Sequence, residues 1–312
     1  MSARLPTLVV AAAIVVAACT ARPNNALPPE FTTTSSTSLE VVEPPPTTVT
    51  LPPPDLAEPI EVVGVADGDT FLGRTADGEA EVRLLGVNAP ELDECYGDQA
   101  RTLLTELLVG ADEVTIGADD ASDDTDPFGR LLRYVFAVAD GEPVFVNERL
   151  VAEGAAIALQ NGHRHAAAFK ALEDRAYASG RGLWGTFACS PEEAGAVPDR
   201  PQLRVSEVAA DPPGPDEEAL EDEWVELVNE SYTSVDLGGW GIRDESTRNR
   251  LVLPPGVGLA PGETLRIVTG CGTNGGRVVY WCSDAPIWNN DGDTVIVTDP
   301  DGNVVDRRVW RP

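Results

Sequence analysis

The sequence predicts a multidomain chain in which a small β-barrel with helices (α+β) precedes an all-β sandwich. Three observations carry this. Residues 59–190 alternate strand-like runs with stretches of helical spacing, residues 202–312 hold short strands and turns, and the segment "PEEAGAVPDRP" at 191–201 marks a shift of composition between them. Roughly 250 residues follow the N-terminal region, enough for two domains with their own cores.

The chain opens with "MSARLPTLVVAAAIVVAACT", in which one basic residue, Arg4, precedes an apolar run ending at Cys19. The run is short for a membrane span and ends in small residues, as a secretory signal does. "VAAC" resembles a bacterial lipobox, which implies a signal peptide over 1–18, lipidation of Cys19 and a place on the extracellular face of a bacterial cell membrane. Residues 19–58 are dominated by Pro, Thr and Ser, with triple prolines at 44–46 and 52–54, and cannot bury a core. They are expected to form a semi-rigid polyproline II stalk.

In the first domain, "PIEVVGVADGDTFLGRTADGEAEVRLLGV" alternates strand-like runs with Gly and Asp-Gly turns, and "GDQARTLLTELLVG" changes to helical spacing. A strand "DEVTIGA" and a hairpin "RLLRYVFAVADGEPVFV" follow, then two helical stretches, "VNERLVAEG" and "AAFKALEDRAYASGRGLW". Five strands with helices inserted read as a Greek-key barrel. Asp67 and Asp69 flank Gly68 in the first turn. As bare residues they are either a hairpin turn or the start of a metal site, and the sequence leaves both open.

The second domain reads as strands and turns throughout: "QLRVSEVAA", "EWVELVNES", "VDLGGWGIRDE", "RLVLPPG", "ETLRIVTG", "RVVYWC", "DTVIVTD" and "NVVDRRVW". Trp240, Trp281 and Trp288 are read as core. "NNDGDT" at 289–294 repeats the DGDT string without the motifs that follow the first copy and is assigned no chemistry.

Apart from Cys19 the cysteines are Cys95, Cys189, Cys271 and Cys282, an even number suited to disulfides in a secreted setting. The boundary at 191–201 leaves one pair on each side, favouring Cys95 with Cys189 and Cys271 with Cys282. Zinc is disfavoured, because there is no Cys-x-x-Cys and only His163 and His165 are available.

"DGDT", "RLLGVNAPE", "YGDQA", "TDPFGRLLRYVF", "VNERLVAEG" and "GRGLW" occur in the order of the corresponding blocks of the staphylococcal-nuclease-like (thermonuclease) family, over about positions 59–189. This resemblance implies an OB-type β-barrel that hydrolyses DNA and RNA phosphodiester bonds with Ca2+. It also implies a metal set of Asp69, Asn88 and the Ala89 carbonyl, two phosphate-contacting guanidiniums on Arg83 and Arg130, and Glu91 near the attacking water. "WVELVNES", "VDLGGWGIRD", "LAPGETLRIV" and "IWNNDGDTVIVTDPDGNVVD" resemble the lamin tail domain, which implies an immunoglobulin-like sandwich whose ligand is unknown.

Two departures from the family pattern matter. Asn88 stands where an aspartate ligand is expected, so one charge is lost and calcium binding is expected to be weak. Phe128, Gln160 and Asn161 stand where base-stacking tyrosines are expected. The net charge of −30 also excludes the usual basic footprint of a nucleic-acid binder, leaving binding to the metal and local arginines. The alternative reading is a catalytically inactive surface protein that retains the barrel for binding or display.

Overall fold

The computed structural model describes residues 57–160, 162–190, 201–246 and 248–311. The expected signal segment, Cys19 and nearly all of the expected stalk lie outside the described residues. Residues 48–312 form one compact unit.

The first domain is a closed barrel whose closure depends on one bent strand. β1 (Ala57–Pro59) and β2 (Glu61–Val65) are separated only by Ile60, yet they occupy opposite ends of the strand order. Between them lie β3 (Thr70–Thr75), β4 (Gly78–Leu84), β6 (Glu113–Gly117) and β7 (Leu131–Ala139), in the order β1-β6-β7-β4-β3-β2. Because the two ends are one continuous stretch, the sheet has no free edge there, and the Ile60 N–H donates to Val114 O at 3.0 Å. β8 (Glu142–Phe145) extends β7 as a hairpin, while the short β5 (Val87–Asn88) and β9 (Ile157–Ala158) pair beside the barrel.

Three helices cover the barrel. α1 (Gly97–Val109) turns Ala100, Leu104 and Leu108 inward at a spacing of four, the single apolar stripe its sequence predicts. α2 (Val146–Ala152) is pinned by buried Asn147, whose Oδ1 accepts the Val135 N–H at 2.8 Å and whose Nδ2 donates to Leu85 O at 2.9 Å. α3 (Ala166–Ala178) ends well before the Trp184 that the periodicity of the sequence suggested. Gly180 and Gly182 adopt φ of 61° and 63°, and a Cβ on Gly182 would lie 2.3 Å from Gly154 O. The chain needs glycine at that crossing, and the helical pattern stops there.

The second domain is the expected sandwich. One sheet holds β10 (Leu203–Ala209), β11 (Trp224–Asn229), β16 (Thr264–Val268) and β17 (Val278–Tyr280). The other holds β13 (Gly241–Arg243), β14 (Arg250–Val252), β18 (Asp293–Thr298) and β19 (Val304–Trp310), and β12 (Val235–Asp236) pairs with β15 (Gly258–Leu259) at one end. The inward faces meet in a core of Leu203, Val225, Leu227, Ile242, Leu265, Ile267, Val295 and Val297 with Trp240 and Trp288. Trp281 packs against this core while only partly buried. The run "VDLGGWGIRDE" splits into β12 and β13, because Gly238 and Gly239 turn the chain between them.

Both disulfides form as expected, Cys95 with Cys189 and Cys271 with Cys282. Their closed loops span 94 and 11 residues, so the first removes more freedom from the unfolded chain.

Asp293 makes the second domain sensitive to pH. It is fully buried, its Oδ1 accepts the Thr294 N–H at 2.7 Å and its Oδ2 accepts the Asn289 N–H at 3.1 Å. Burial, with the charges of Glu245 and Asp244 facing it, raises its carboxyl to about 7. The folded state therefore holds a proton that the unfolded chain releases at about pH 4, so the contribution of Asp293 to stability is full below about pH 4 and is lost as pH rises through about 7. Thermal unfolding is expected to show this fall between about pH 4 and about pH 7, and Asp293→Asn to make it shallower, the buried Asp69 carboxyl, raised to about 6, supplying the rest. An unchanged profile in the variant would contradict the assignment.

Candidate active site

Asp67 and Asp69 have different roles in the turn between β2 and β3. Asp67 Oδ1 accepts the Asp69 N–H at 3.0 Å, an Asx turn that shapes the backbone. Gly68 between them leaves no space for a side chain, since a Cβ would lie 2.6 Å from the Cβ atoms of both Ala89 and Ala100. The turn is wedged between the end of β5 and α1, and it delivers the Asp69 carboxylate inward, 5 % exposed.

Each Asp69 oxygen is engaged. Oδ1 accepts the Thr70 hydroxyl at 3.0 Å, while Oδ2 accepts the Ala89 N–H at 2.6 Å and lies 2.9 Å from Arg83 Nη2. Burial nevertheless raises the carboxyl to about 6, with Arg83 opposing the rise and Asp67 adding to it. Arg83 comes from β4, directly across the ladder from Thr70. Its guanidinium also donates to Val87 O at 2.6 Å and Asn88 Oδ1 at 3.0 Å, so its planar fork is held at several points.

Arg130 reaches the same place from the far side. Asp126 Oδ1 accepts the backbone N–H groups of Phe128 and Arg130 at 2.9 and 3.0 Å, which curls the "TDPFGR" segment. Asp126 Oδ2 accepts Arg130 Nε at 2.6 Å, and Arg130 Nη1 donates to Thr70 Oγ1 at 3.5 Å. Burial works against the Asp126 charge, yet the hydrogen bonds from Arg130 and Phe128 hold its carboxyl below the usual range. Asp69, Arg83, Asn88, Ala89 and, through Thr70, Arg130 are thus brought together.

Glu91 is placed differently. It is exposed on the loop before α1, where its N–H donates to Glu94 Oε2 at 3.0 Å, and its charge acts on Arg243 and Arg250 of the second domain. Asn88 is 1 % exposed and used twice, because its Oδ1 accepts from Arg83 and its Nδ2 donates to Glu245 O at 2.9 Å. The second domain therefore forms one wall of the site. Sequence reading missed Thr70, Asp126, Arg243 and Glu245. The first two lie inside motif blocks already singled out, and the others lie in "GIRDESTRNR", whose density of charge was the available signal.

Residues 81–186 match the family model "Staphylococcal nuclease homologue", and residues 196–312 match the "Lamin Tail Domain". The chain carries a staphylococcal nuclease homologue domain followed by a lamin tail domain. The first match begins within β4, so Arg83, Asn88, Ala89, Glu91 and Arg130 fall inside it and Asp69 precedes it. No curated protein matches the chain.

Among the described residues no group of three or more His, Cys, Asp or Glu side chains clusters at metal-binding spacing. The donors around Asp69 are nonetheless hard oxygens, the kind calcium takes. A buried carboxylate raised to about 6 beside a second carboxylate is also a group that an added cation would stabilise. In this respect the residues fit a divalent cation.

Proposed function

We propose that the chain is a calcium-dependent phosphodiesterase that hydrolyses DNA or RNA. The observation that carries this reading is the convergence of two guanidiniums on one buried carboxylate, Arg83 directly at 2.9 Å and Arg130 through the hydroxyl of Thr70. A phosphodiester gains negative charge on its non-bridging oxygens as water attacks, and planar guanidinium forks match those oxygens in pairs. Asp69, the side-chain oxygen of Asn88 and the Ala89 carbonyl would hold calcium, which supplies further positive charge at the phosphate. Arg83 is the positioned partner, fixed by four acceptors, while Arg130 sits at the rim with its charge directed by Asp126. Glu91 is the carboxylate that the family resemblance puts near the attacking water, from which it would take a proton or which it would orient.

The cellular setting belongs to the same proposal. Two disulfides support an oxidising compartment, and the apolar run ending at Cys19 supports a lipid anchor on the extracellular face of a membrane.

One observation favours a second reading, a catalytically inactive protein that binds through the retained barrel. Both polar atoms of Asn88 are committed to Arg83 and Glu245, and Glu91 faces the arginines of the lamin tail domain.

Cleavage of DNA by the parent separates the two readings, and the metal assignment within the first rests on Asp69. Asp69→Ala is expected to abolish calcium binding, whose dissociation constant in the parent is expected in the range of about 0.1–1 mM. Asp67→Ala is expected to retain binding and lose only the stability its turn contributes. Calorimetry checks both, and calcium binding that survives Asp69→Ala would overturn the metal assignment.

A further inference from the structure

Between β13 and β14, Glu245 and the first residue of β14, Arg250, are tied to the nuclease homologue domain. Besides the bond from Asn88 to Glu245 O, Glu245 Oε1 accepts the Gln160 N–H at 2.6 Å, and Arg250 pairs with Glu94. The turn is braced internally as well, for Asp244 Oδ1 accepts the Ser246 hydroxyl at 2.7 Å and Asp244 Oδ2 accepts Asn249 Nδ2 at 2.7 Å.

Between these anchors Arg248 stands exposed over Phe128, its guanidinium carbon 5.6 Å from the ring centroid. Arg130 holds the same ring at the same 5.6 Å. Phe128 is 72 % exposed, a large ring left open to water at the rim of the site. An aromatic face with guanidiniums beside it is the combination that binds single-stranded nucleic acid, the ring stacking a base and the cations meeting phosphates.

Charge supply points the same way. The chain has a net charge of −30, and its one lysine, Lys170, is buried at 1 % exposure and bound to Glu173 at 2.6 Å. Arg83 is enclosed beside Asp69, and Arg130 is paired with Asp126. The contacts of Arg248 among the described residues are the Phe128 ring and a bond from its backbone N–H to Ser246 Oγ.

We propose that Arg248 of the lamin tail domain, with Phe128 and Arg130, forms a subsite for single-stranded nucleic acid beside the reacting phosphate. Phe128 stands where the family's base-stacking tyrosines are expected and stacks a base in the same way; the new contact is that of Arg248 with a phosphate outside the scissile bond. The subsite rests on the reading above for the class of ligand, and it makes the lamin tail domain part of substrate binding.

The test uses the full chain with calcium, a fluorescein-labelled phosphorothioate oligothymidylate as a cleavage-resistant probe for binding, and unmodified single-stranded DNA for steady-state cleavage. Arg248→Ala is expected to weaken probe binding about tenfold. It is also expected to reduce the salt slope by about 0.7, and to raise KM by a larger factor than it lowers kcat. Phe128→Ala is expected to weaken binding about tenfold while leaving the salt slope as in the parent. Arg204→Ala, which removes the same charge from an exposed pair with Glu230, is the control and is expected to bind as the parent does. If the parent cleaves and Arg248→Ala matches it in binding, slope and KM, the subsite is overturned while the nuclease reading stands. A parent that binds without cleaving, with binding weakened by Arg248→Ala, keeps the subsite and overturns the nuclease reading. A parent that does not bind the probe overturns both.

Discussion

Replacing Lys170 with alanine is expected to lower folding stability by about 3–5 kcal/mol, the cost of leaving buried charge without its partner. Lys170 lies on α3 of the nuclease homologue domain. Its Nζ is 2.6 Å from Glu173 Oε2, donates to Thr294 Oγ1 at 2.7 Å and lies 3.5 Å from Glu245 Oε2. Glu173 keeps a second cation, Arg307 at 2.7 Å, but Glu245 loses the positive charge that opposes its burial. Since Glu245 and Thr294 belong to the lamin tail domain, the loss falls on both domains together, and urea unfolding is expected to remain one transition at a lower midpoint. The double variant Lys170→Ala with Glu245→Gln should recover part of the loss, because the stranded charge is gone. A change for Lys170→Ala within about 0.5 kcal/mol would mean that the network contributes no more than an exposed pair.

The second large effect is on rate. Arg130→Ala is expected to lower kcat by about 100- to 1000-fold, as removal of one preformed donor to developing charge does. Calcium affinity should be nearly unchanged, because Arg130 contacts Thr70 and Asp126 while the oxygens of Asp69 are engaged by Thr70, Ala89 and Arg83. Arg130→Lys separates charge from shape: it keeps the cation, loses the planar fork and should recover only part of the rate. Steady-state kinetics beside calorimetry reads both quantities. A kcat within about threefold of the parent would remove Arg130 from the chemistry.

What could be read in the sequence follows the range of the interaction concerned. The α1 stripe of Ala100, Leu104 and Leu108 and the alternating strands of both domains are local patterns, and they appear where their periodicity places them. The end of α3 is less legible, because what stops it is the close approach of Gly182 to Gly154, a contact across the fold. Closure of the barrel through Ile60 is likewise a property of the sheet, and no local pattern marks it.

The site divides in the same way. The motif blocks marked Asp69, Arg83 and Arg130, and the fold brings these three to one place. The bond between Asn88 and Glu245 spans 157 residues and joins two domains, so a sequence substitution that reads as a lost metal charge is also a docking contact. An aspartate at 88 would face the Glu245 carbonyl without a proton to donate, at a cost of about 1–3 kcal/mol, against any gain in calcium affinity.

The measurement that bears most directly on the central claim is digestion of single-stranded DNA by the full chain, with calcium and then with excess chelator, run beside Asp69→Ala. The account predicts cleavage in calcium, none in chelator, restoration when calcium is returned, and none from Asp69→Ala under any condition. Equal cleavage by the parent and Asp69→Ala, or a folded, calcium-binding parent that leaves the DNA intact, would contradict it.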